Sequence, residues 1–379
     1  MITKIERSFA EQFGGEGTLF AAPGRINLIG EHTDYNEGFV FPGAIDLGIT
    51  ASIRPNDEDV VRVYAIDLDE SGEFRIGEDK LPEQSWLRYI YGVCCEIIKR
   101  EGKVEGFDAV FAGNLPLGGG LSSSAALESV FGYAISELFN EGSFDRFELA
   151  RIGQATEHNY CGVKCGIMDQ FASLHGRKDH LMRLDCRSME FEYFPFQSDD
   201  YRLVLINSRV KHELSGSPYN RRRESCERVA KELGMVSLRG ATLEQITALK
   251  GKVSDEDLSR AIYVVGEEQR VYAVCDALQK GDFETVGQQM YATHEGLSKD
   301  YEVSCVELDF LNDVAKECGV TGSRMMGGGF GGCTINLVKC ELYQKFVDTA
   351  LAQFKEKYGI EAQVIDVNIS DGARRIETE

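Results

Sequence analysis

The sequence predicts an α+β protein built as two domains. Three observations carry that expectation. The chain has 379 residues, and a domain takes roughly 100–200. Hydrophobic residues make up 43% of it, enough to bury a core in each half. Strand-like and helix-like stretches mix along it without a regular βαβ rhythm, which disfavours a doubly wound sheet.

In chain order, residues 18–22 and 47–66 carry apolar and β-branched runs broken by turn residues, and predict strands. Residues 84–100 place Trp86, Tyr89, Ile90, Val93, Ile97 and Ile98 at helical spacing. A strand is expected at 106–112, then a glycine loop at 118–120 and helices over 122–139 and 144–160. Strands near 180–185, 190–195 and 201–206 precede helices over 217–233, 254–280, 282–299 and 304–318. A glycine turn at 327–332 leads into a strand at 333–338, and a helix at 341–357 and a strand at 361–369 close the chain. No repeat or low-complexity linker marks a boundary. The break is placed near 190–200, giving domains 1–195 and 196–379.

The formal net charge is −21. Such a chain repels nucleic acid and anionic membranes at long range, so neither is an expected partner. A nucleotide is not excluded, because a few local donors and a metal ion can reverse the field inside one cleft. The 11 cysteines are scattered, many on apolar stretches, and read as reduced thiols. The first residues carry charges without an apolar run, and no charge-free apolar stretch reaches 18 residues. A cytoplasmic protein with no membrane span is expected.

Four segments stand out. The first, residues 22–36, crowds Arg25, Glu31, His32, Asp34 and Tyr35 after a strand. Two acids, a histidine and a backbone-rich loop can bind several hydroxyls by directed hydrogen bonds, which suits a sugar. Composition alone leaves open a solvated turn with His32 as a capping group. The second, Leu-Pro-Leu-Gly-Gly-Gly-Leu-Ser-Ser-Ser-Ala-Ala-Leu at 115–127, joins a backbone able to approach a ligand to serines opening a helix. A helix N-terminus attracts phosphate, and serine hydroxyls can ligate Mg²⁺. No lysine follows the glycines, so it is not a Walker loop. An ordinary loop with a serine cap is the alternative.

The third segment, residues 325–333, satisfies GxGxxG through Gly327, Gly329 and Gly332. A strand-like pattern follows where a helix would be needed, so a dinucleotide fold is rejected. The fourth, residues 165–171, embeds Asp169 among apolar residues, costly unless paired or functional. A helix-start aspartate is the alternative. His158, Cys161 and Cys165 have spacing too loose for a zinc site and read as packing beside the Asp169 loop. Arg221, Arg222 and Arg223 precede Glu224 and Glu227 and read as a solvated helix face, with contact of one of them to nucleotide phosphate as the alternative.

In this order the segments resemble the galactose kinase branch of the GHMP kinase superfamily. The stretch Gly-Arg-Ile-Asn-Leu-Ile-Gly-Glu-His-Thr-Asp-Tyr at 24–35 is similar to its sugar signature almost residue for residue. The serine-rich loop and the late glycine turn match the other two superfamily motifs. The likeness runs from about residue 7 to the C-terminus.

It implies a two-domain GHMP kinase fold with the active site in the interdomain cleft. It implies direct transfer of the γ-phosphoryl of MgATP to the C1 hydroxyl of galactose, the first step of galactose use through the Leloir pathway. By position, Asp169 would be the general base and Arg25 would stabilise it and the transferring group. Glu31, His32, Thr33, Asp34 and Tyr219 would hold the sugar. Gly118, Gly119, Gly120, Leu121, Ser122, Ser123 and Ser124 would wrap the triphosphate, and Ser124 and Glu157 would hold Mg²⁺. A monomer is implied.

Met326 stands where many relatives carry a small or hydroxyl residue, so a changed cleft wall is expected. Other sugars, such as N-acetylgalactosamine, galacturonate or arabinose, are the first alternative. A non-catalytic sugar sensor is the second. The complete Ser-Ser-Ser-Ala-Ala run, with Arg25 and Asp169, argues for an enzyme.

Overall fold

The computed structural model describes residues 1–116, 118–210 and 217–377. Leu117, in the second glycine segment, lies outside them.

The first half opens with helix α1 (Ile2–Phe13) and strand β1 (Thr18–Asn27). Then come β2 (Phe39–Val40), β3 (Pro42–Pro55), β4 (Val60–Ala65), β5 (Glu70–Arg75), α2 (Ser85–Lys99) and β6 (Phe107–Gly113). Helices α3 (Ser123–Phe139), α4 (Arg146–Thr156) and α5 (Met168–His175) precede β7 (His180–Asp185) and β8 (Phe191–Pro195). The second half holds β9 (Tyr201–Asn207), α6 (Ser217–Glu232), α7 (Leu243–Thr247), α8 (Asp255–Gln279), α9 (Phe283–Lys299) and α10 (Val306–Glu317). It ends with β10 (Gly322–Met325), β11 (Cys333–Lys339), α11 (Tyr343–Tyr358), β12 (Gln363–Asp366) and β13 (Arg374–Arg375).

One sheet runs β13-β1-β3-β6-β4-β5, a second β10-β11-β9-β12 and a third β2-β7-β8. Only the β4–β6 pair is parallel among the described strands. The first sheet buries Phe20, Ala51, Val61 and Phe107 with Leu87 and Ile90 of α2, Val130 and Phe131 of α3 and Phe171 of α5. The second sheet sets Val204, Ile206 and Val338 against Leu311 of α10 and Phe346 and Phe354 of α11. This is the mixed α+β architecture expected, with helices layered on largely antiparallel sheets.

The expected boundary falls in the connection between β8 and β9. The chain does not divide cleanly there. β13 returns to pair with β1, and one apolar cluster joins Ile26 of β1 and Leu28 just after it to Leu205, Ile335 and Val271 of the second half.

Several elements depart from the sequence expectation. The run 47–66 splits around a turn with Asp57 at φ 57°, giving β3 and β4. Helix α1 buries only Ile5 and Phe9, too little apolar repetition to stand out. Strand β5 buries Phe74 alone and exists because β4 pairs with it. The helix expected over 144–160 stops at Thr156 and continues as a π-helical turn, Glu157–Cys161. Such turns insert an extra residue and re-aim side chains. No helix among the described residues is long and apolar enough to cross a membrane.

Candidate functional site

Strand β1 carries Arg25 to the site. Its ladder with β3 shifts register between Pro23 and Arg25. A bulge of this kind bends the strand and redirects the side chain after it. Arg25 is 3% exposed. Its Nε donates to Asp169 Oδ1 at 2.9 Å and its Nη2 to Asp169 Oδ2 at 3.0 Å. Its Nη1 donates to the Gly120 carbonyl at 2.5 Å, and its backbone N–H to the Leu121 carbonyl at 3.2 Å. The pair is a bidentate fork, the strongest geometry for guanidinium and carboxylate.

Asp169 lies in the first turn of α5, with a side chain 31% exposed. Its Oδ2 also accepts from the Ser122 hydroxyl. Ser122 holds the N-cap position of α3 at φ 60° but makes no side-chain cap. The expected serine cap is therefore absent there, because that hydroxyl is spent on Asp169. The first N–H groups of a 17-residue helix are left uncapped beside the glycine loop.

Arg25, Asp169, Gly118 to Ser124, Glu31, His32, Asp34, Tyr219 and Glu157 line one cavity of about 330 Å³. Gly327 and Gly328 of the late glycine turn close it. A larger groove of about 1080 Å³ passes Phe39, Asp145, Arg183 and Glu190. No glycine loop meets it, and Arg183 is already paired with Glu192 at 3.0 Å. The smaller cavity is where the polar groups converge.

Burial sets the charges there. Asp34 is pushed up to about 7, first by burial and then by the Asp169 charge. Glu157 is pushed up to about 7 by burial, opposed by a hydrogen bond from Ser124 and aided by the Asp169 charge. His32 is pulled down to about 3 by burial and the Arg222 charge, with the Gly328 carbonyl working the other way, so its imidazole is neutral. Glu31 is raised by burial, which outweighs Arg324, whose Nη1 lies 2.7 Å from Glu31 Oε2. Burial also holds the Tyr219 phenol protonated.

Three expectations need correction. Thr33 is fully buried, and its hydroxyl donates to the Gly30 and Phe39 carbonyls at 3.0 and 2.6 Å. It shapes the loop and does not line the cavity. Met326 is 1% exposed and belongs to the apolar cluster of Leu121, Ile26 and Leu28. It supports the cleft from beneath and is not a wall. Arg222 does not face solvent. It is buried and donates to the Tyr301 carbonyl at 3.1 Å and to the Glu302 carbonyl. Arg223 does pair with Glu227 at 2.8 Å. His158 Nε2 donates to the Cys165 carbonyl at 2.8 Å.

Sequence reasoning missed Glu267 and Arg324. Glu267, on α8, is fully buried and accepts from Gly30 N at 2.8 Å and Glu31 N at 3.3 Å. Its other oxygen accepts from Arg270 Nε at 2.6 Å and Thr293 Oγ1 at 2.8 Å. Arg324 is fully buried and donates to the carbonyls of Asn27, Leu28 and Met325. A charged residue inside an apolar helix or strand pattern was the available signal.

Three family models match the chain. The galactokinase galactose-binding signature matches residues 7–55. The GHMP kinases N terminal domain matches 88–177 and the GHMP kinases C terminal model 275–356. A galactokinase of Thermotoga petrophila is 42% identical over 356 residues, covering 94% of this chain and 99% of the relative. One from Fusobacterium nucleatum is 37% identical over 390 aligned positions, covering both chains fully. The crystal structure of Lactococcus lactis galactokinase complexed with galactose matches with a TM-score of 0.94 and 34% identity, over 99% of this chain and 100% of that one. The Methanococcus jannaschii mevalonate kinase, at 18% identity and a TM-score of 0.66, shares the fold.

Proposed function

The chain belongs to the galactokinase family of the GHMP kinases and is a kinase, and from that premise we propose that Asp169 and Arg25 drive transfer of the γ-phosphoryl of ATP to the C1 hydroxyl of galactose. The products are galactose 1-phosphate and ADP. The observation that carries the reading is the Arg25–Asp169 fork, standing between the sugar loop and the glycine loop.

A carboxylate offers about four lone-pair sites. Arg25 and Ser122 take three on Asp169. The remaining one accepts the hydroxyl proton while the sugar oxygen attacks phosphorus and ADP leaves. Arg25 stays charged throughout, beside both the base and the transferring group. Phosphoryl transfer needs positioning and charge stabilisation more than covalent help, so a fixed cation and base suffice.

Glu31, His32, Asp34 and Tyr219 hold sugar hydroxyls in this reading, and Thr33 keeps their loop in shape. The triphosphate lies along Gly118, Gly119 and Gly120 and the uncapped start of α3 at Ser123 and Ser124, where backbone N–H groups favour anions. Leu121 and Ser122 contribute mainly through Arg25 and Asp169, which use the Leu121 carbonyl and the Ser122 hydroxyl.

Mg²⁺ fits Ser124 and Glu157. Glu157 is buried beside Glu128, whose Oε1 has no partner. Burial raises both carboxyls, and a cation bound beside them would offset that cost. No group of three acidic, histidine or cysteine side chains surrounds one point among the described residues. Mg²⁺ accepts such a sparse protein set, taking phosphate and water oxygens as well. Bound there, it would neutralise phosphate charge.

All 11 cysteines are free thiols, which supports a cytoplasmic enzyme, and in this reading its reaction is the first step of the Leloir route. The test is Asp169→Asn in a coupled ADP assay with galactose. The variant should keep its fold, since amide and carboxylate are isosteric, and lose about 10²–10⁴ in kcat. Wild-type kcat in folded Asp169→Asn would overturn the base assignment.

A further inference from the structure

We infer that Tyr301, which does not line the cavity, is a positioning residue that fixes the tautomer and orientation of His32 through Tyr35. The inference rests on the galactose reading, in which His32 faces the sugar.

A line of polar atoms leads inward from the cavity. His32 Nδ1 lies 2.8 Å from the Tyr35 hydroxyl. The Tyr35 hydroxyl lies 2.7 Å from that of Tyr301, and the Tyr301 hydroxyl 3.4 Å from Cys226 Sγ. His32 Nε2 is buried and makes no hydrogen bond, and His32 lines the cavity with Gly328, whose carbonyl acts on the imidazole. One imidazole nitrogen is thus held from behind, and the other has no hydrogen-bond partner in the protein.

Each hydroxyl or thiol in the line has one hydrogen. Each of the three links needs one. The direction of donation is therefore collective, and reversing one bond reverses them all. That direction decides whether Nδ1 carries a proton, and hence whether Nε2 presents N–H or a lone pair. Without the Tyr301 hydroxyl, the Tyr35 hydroxyl is free to turn either way, and both tautomers of His32 become accessible. Burial keeps His32 neutral across the working pH range, so only the tautomers compete.

Tyr301 is itself immobilised. It is fully buried, its backbone N–H donates to the Gly296 carbonyl at 2.9 Å, and its carbonyl accepts from Arg222. Its ring lies 5.0 Å from that of His32 and 4.8 Å from that of Tyr263. Tyr219, Arg222 and Cys226 share one face of α6 by their spacing, so the helix that presents Tyr219 to the sugar also anchors both ends of Tyr301.

The experiment pairs kinetics with ¹⁵N NMR of the imidazoles in the ligand-free protein, with His32 assigned by difference from H32Q. Wild type should show one dominant His32 tautomer, and Tyr301→Phe a mixture. The same variant should raise the KM for galactose about two- to tenfold, the value of one neutral hydrogen bond. Its kcat and its KM for ATP should stay near wild type, the pattern of lost uniform binding. Tyr35→Phe breaks the same line from the other side and should give the same split, which keeps the test open if Tyr301→Phe folds poorly. An unchanged tautomer and galactose KM in both variants would overturn the inference. So would a common decline of kcat and both KM values with the melting temperature, which marks a merely structural role. Wild type that ignores galactose would defeat the galactose reading instead, while the NMR comparison would still decide the relay.

Discussion

In the proposed reading, Asp34 is a carboxyl that would couple activity to stability. Its ordinary value is 3.8, and the fold pushes it up to about 7. The folded state therefore binds more protons than the unfolded chain between those values. Stability falls as pH rises through that window, because the ionised form pays for burial. Asp34→Asn should exceed wild type in urea unfolding at pH 8 by about 1–3 kcal/mol, and the gain should shrink toward pH 5. The same variant should bind galactose poorly. In wild type, kcat/KM for galactose should drop below about pH 7, as Asp34 takes up its proton in the free enzyme. A flat profile from pH 6 to 8 would show that Asp34 is not needed as a carboxylate. The polar crowd at 22–36 was visible in the residues, and so was the incongruous Asp169. That Thr33 turns inward while His32, at φ 64°, turns to the cavity was not, because the choice belongs to the backbone of a tight loop.

At the level of elements, the site depends on two glycine loops meeting backbone to backbone. Gly120 and Gly327 have φ of 71° and 80°. A Cβ on Gly327 would come within 3.2 Å of the Gly120 carbonyl oxygen. Gly327→Ala should cost about 1 kcal/mol for the left-handed backbone alone. It should also push the loops apart, raising the KM for ATP and lowering kcat, which initial rates across ATP concentrations would measure. Unaltered ATP kinetics would mean that the contact does not shape the nucleotide side. The long periodic helices and the β-branched strands were legible, as for α8 and β11. Those with one or two buried side chains, such as α1 and β5, were not, because a partner strand or a sheet face stabilises them and local pattern does not. The bulge at Arg25 and the π turn at Glu157 leave no trace in residue type.

Across the whole molecule, two buried charges bind the halves. Glu267 holds the backbone of Gly30 and Glu31 from α8, and Arg324 holds the end of β1 from β10. Arg324→Leu would strand Glu31 and three carbonyls in the interior. Breaking such a buried pair costs about 3–5 kcal/mol, readable as a lower urea midpoint. If the midpoint moved little, Glu31 would have to be taking up a proton instead, which a pH series of the same unfolding curves would reveal.

The order of motifs along the chain was sufficient by itself for the α+β class, for kinase chemistry and for most of the residues around the cavity. Those features are local: a glycine permits a turn, a serine opens a helix, and a periodic apolar stripe makes a face. Which polar groups meet was decided only by packing. Arg25 and Asp169 are 144 positions apart, and Gly30 and Glu267 are 237 apart. Contacts of that separation form only when two apolar cores close on each other, and buried charges must then find whatever partners the closed backbone offers.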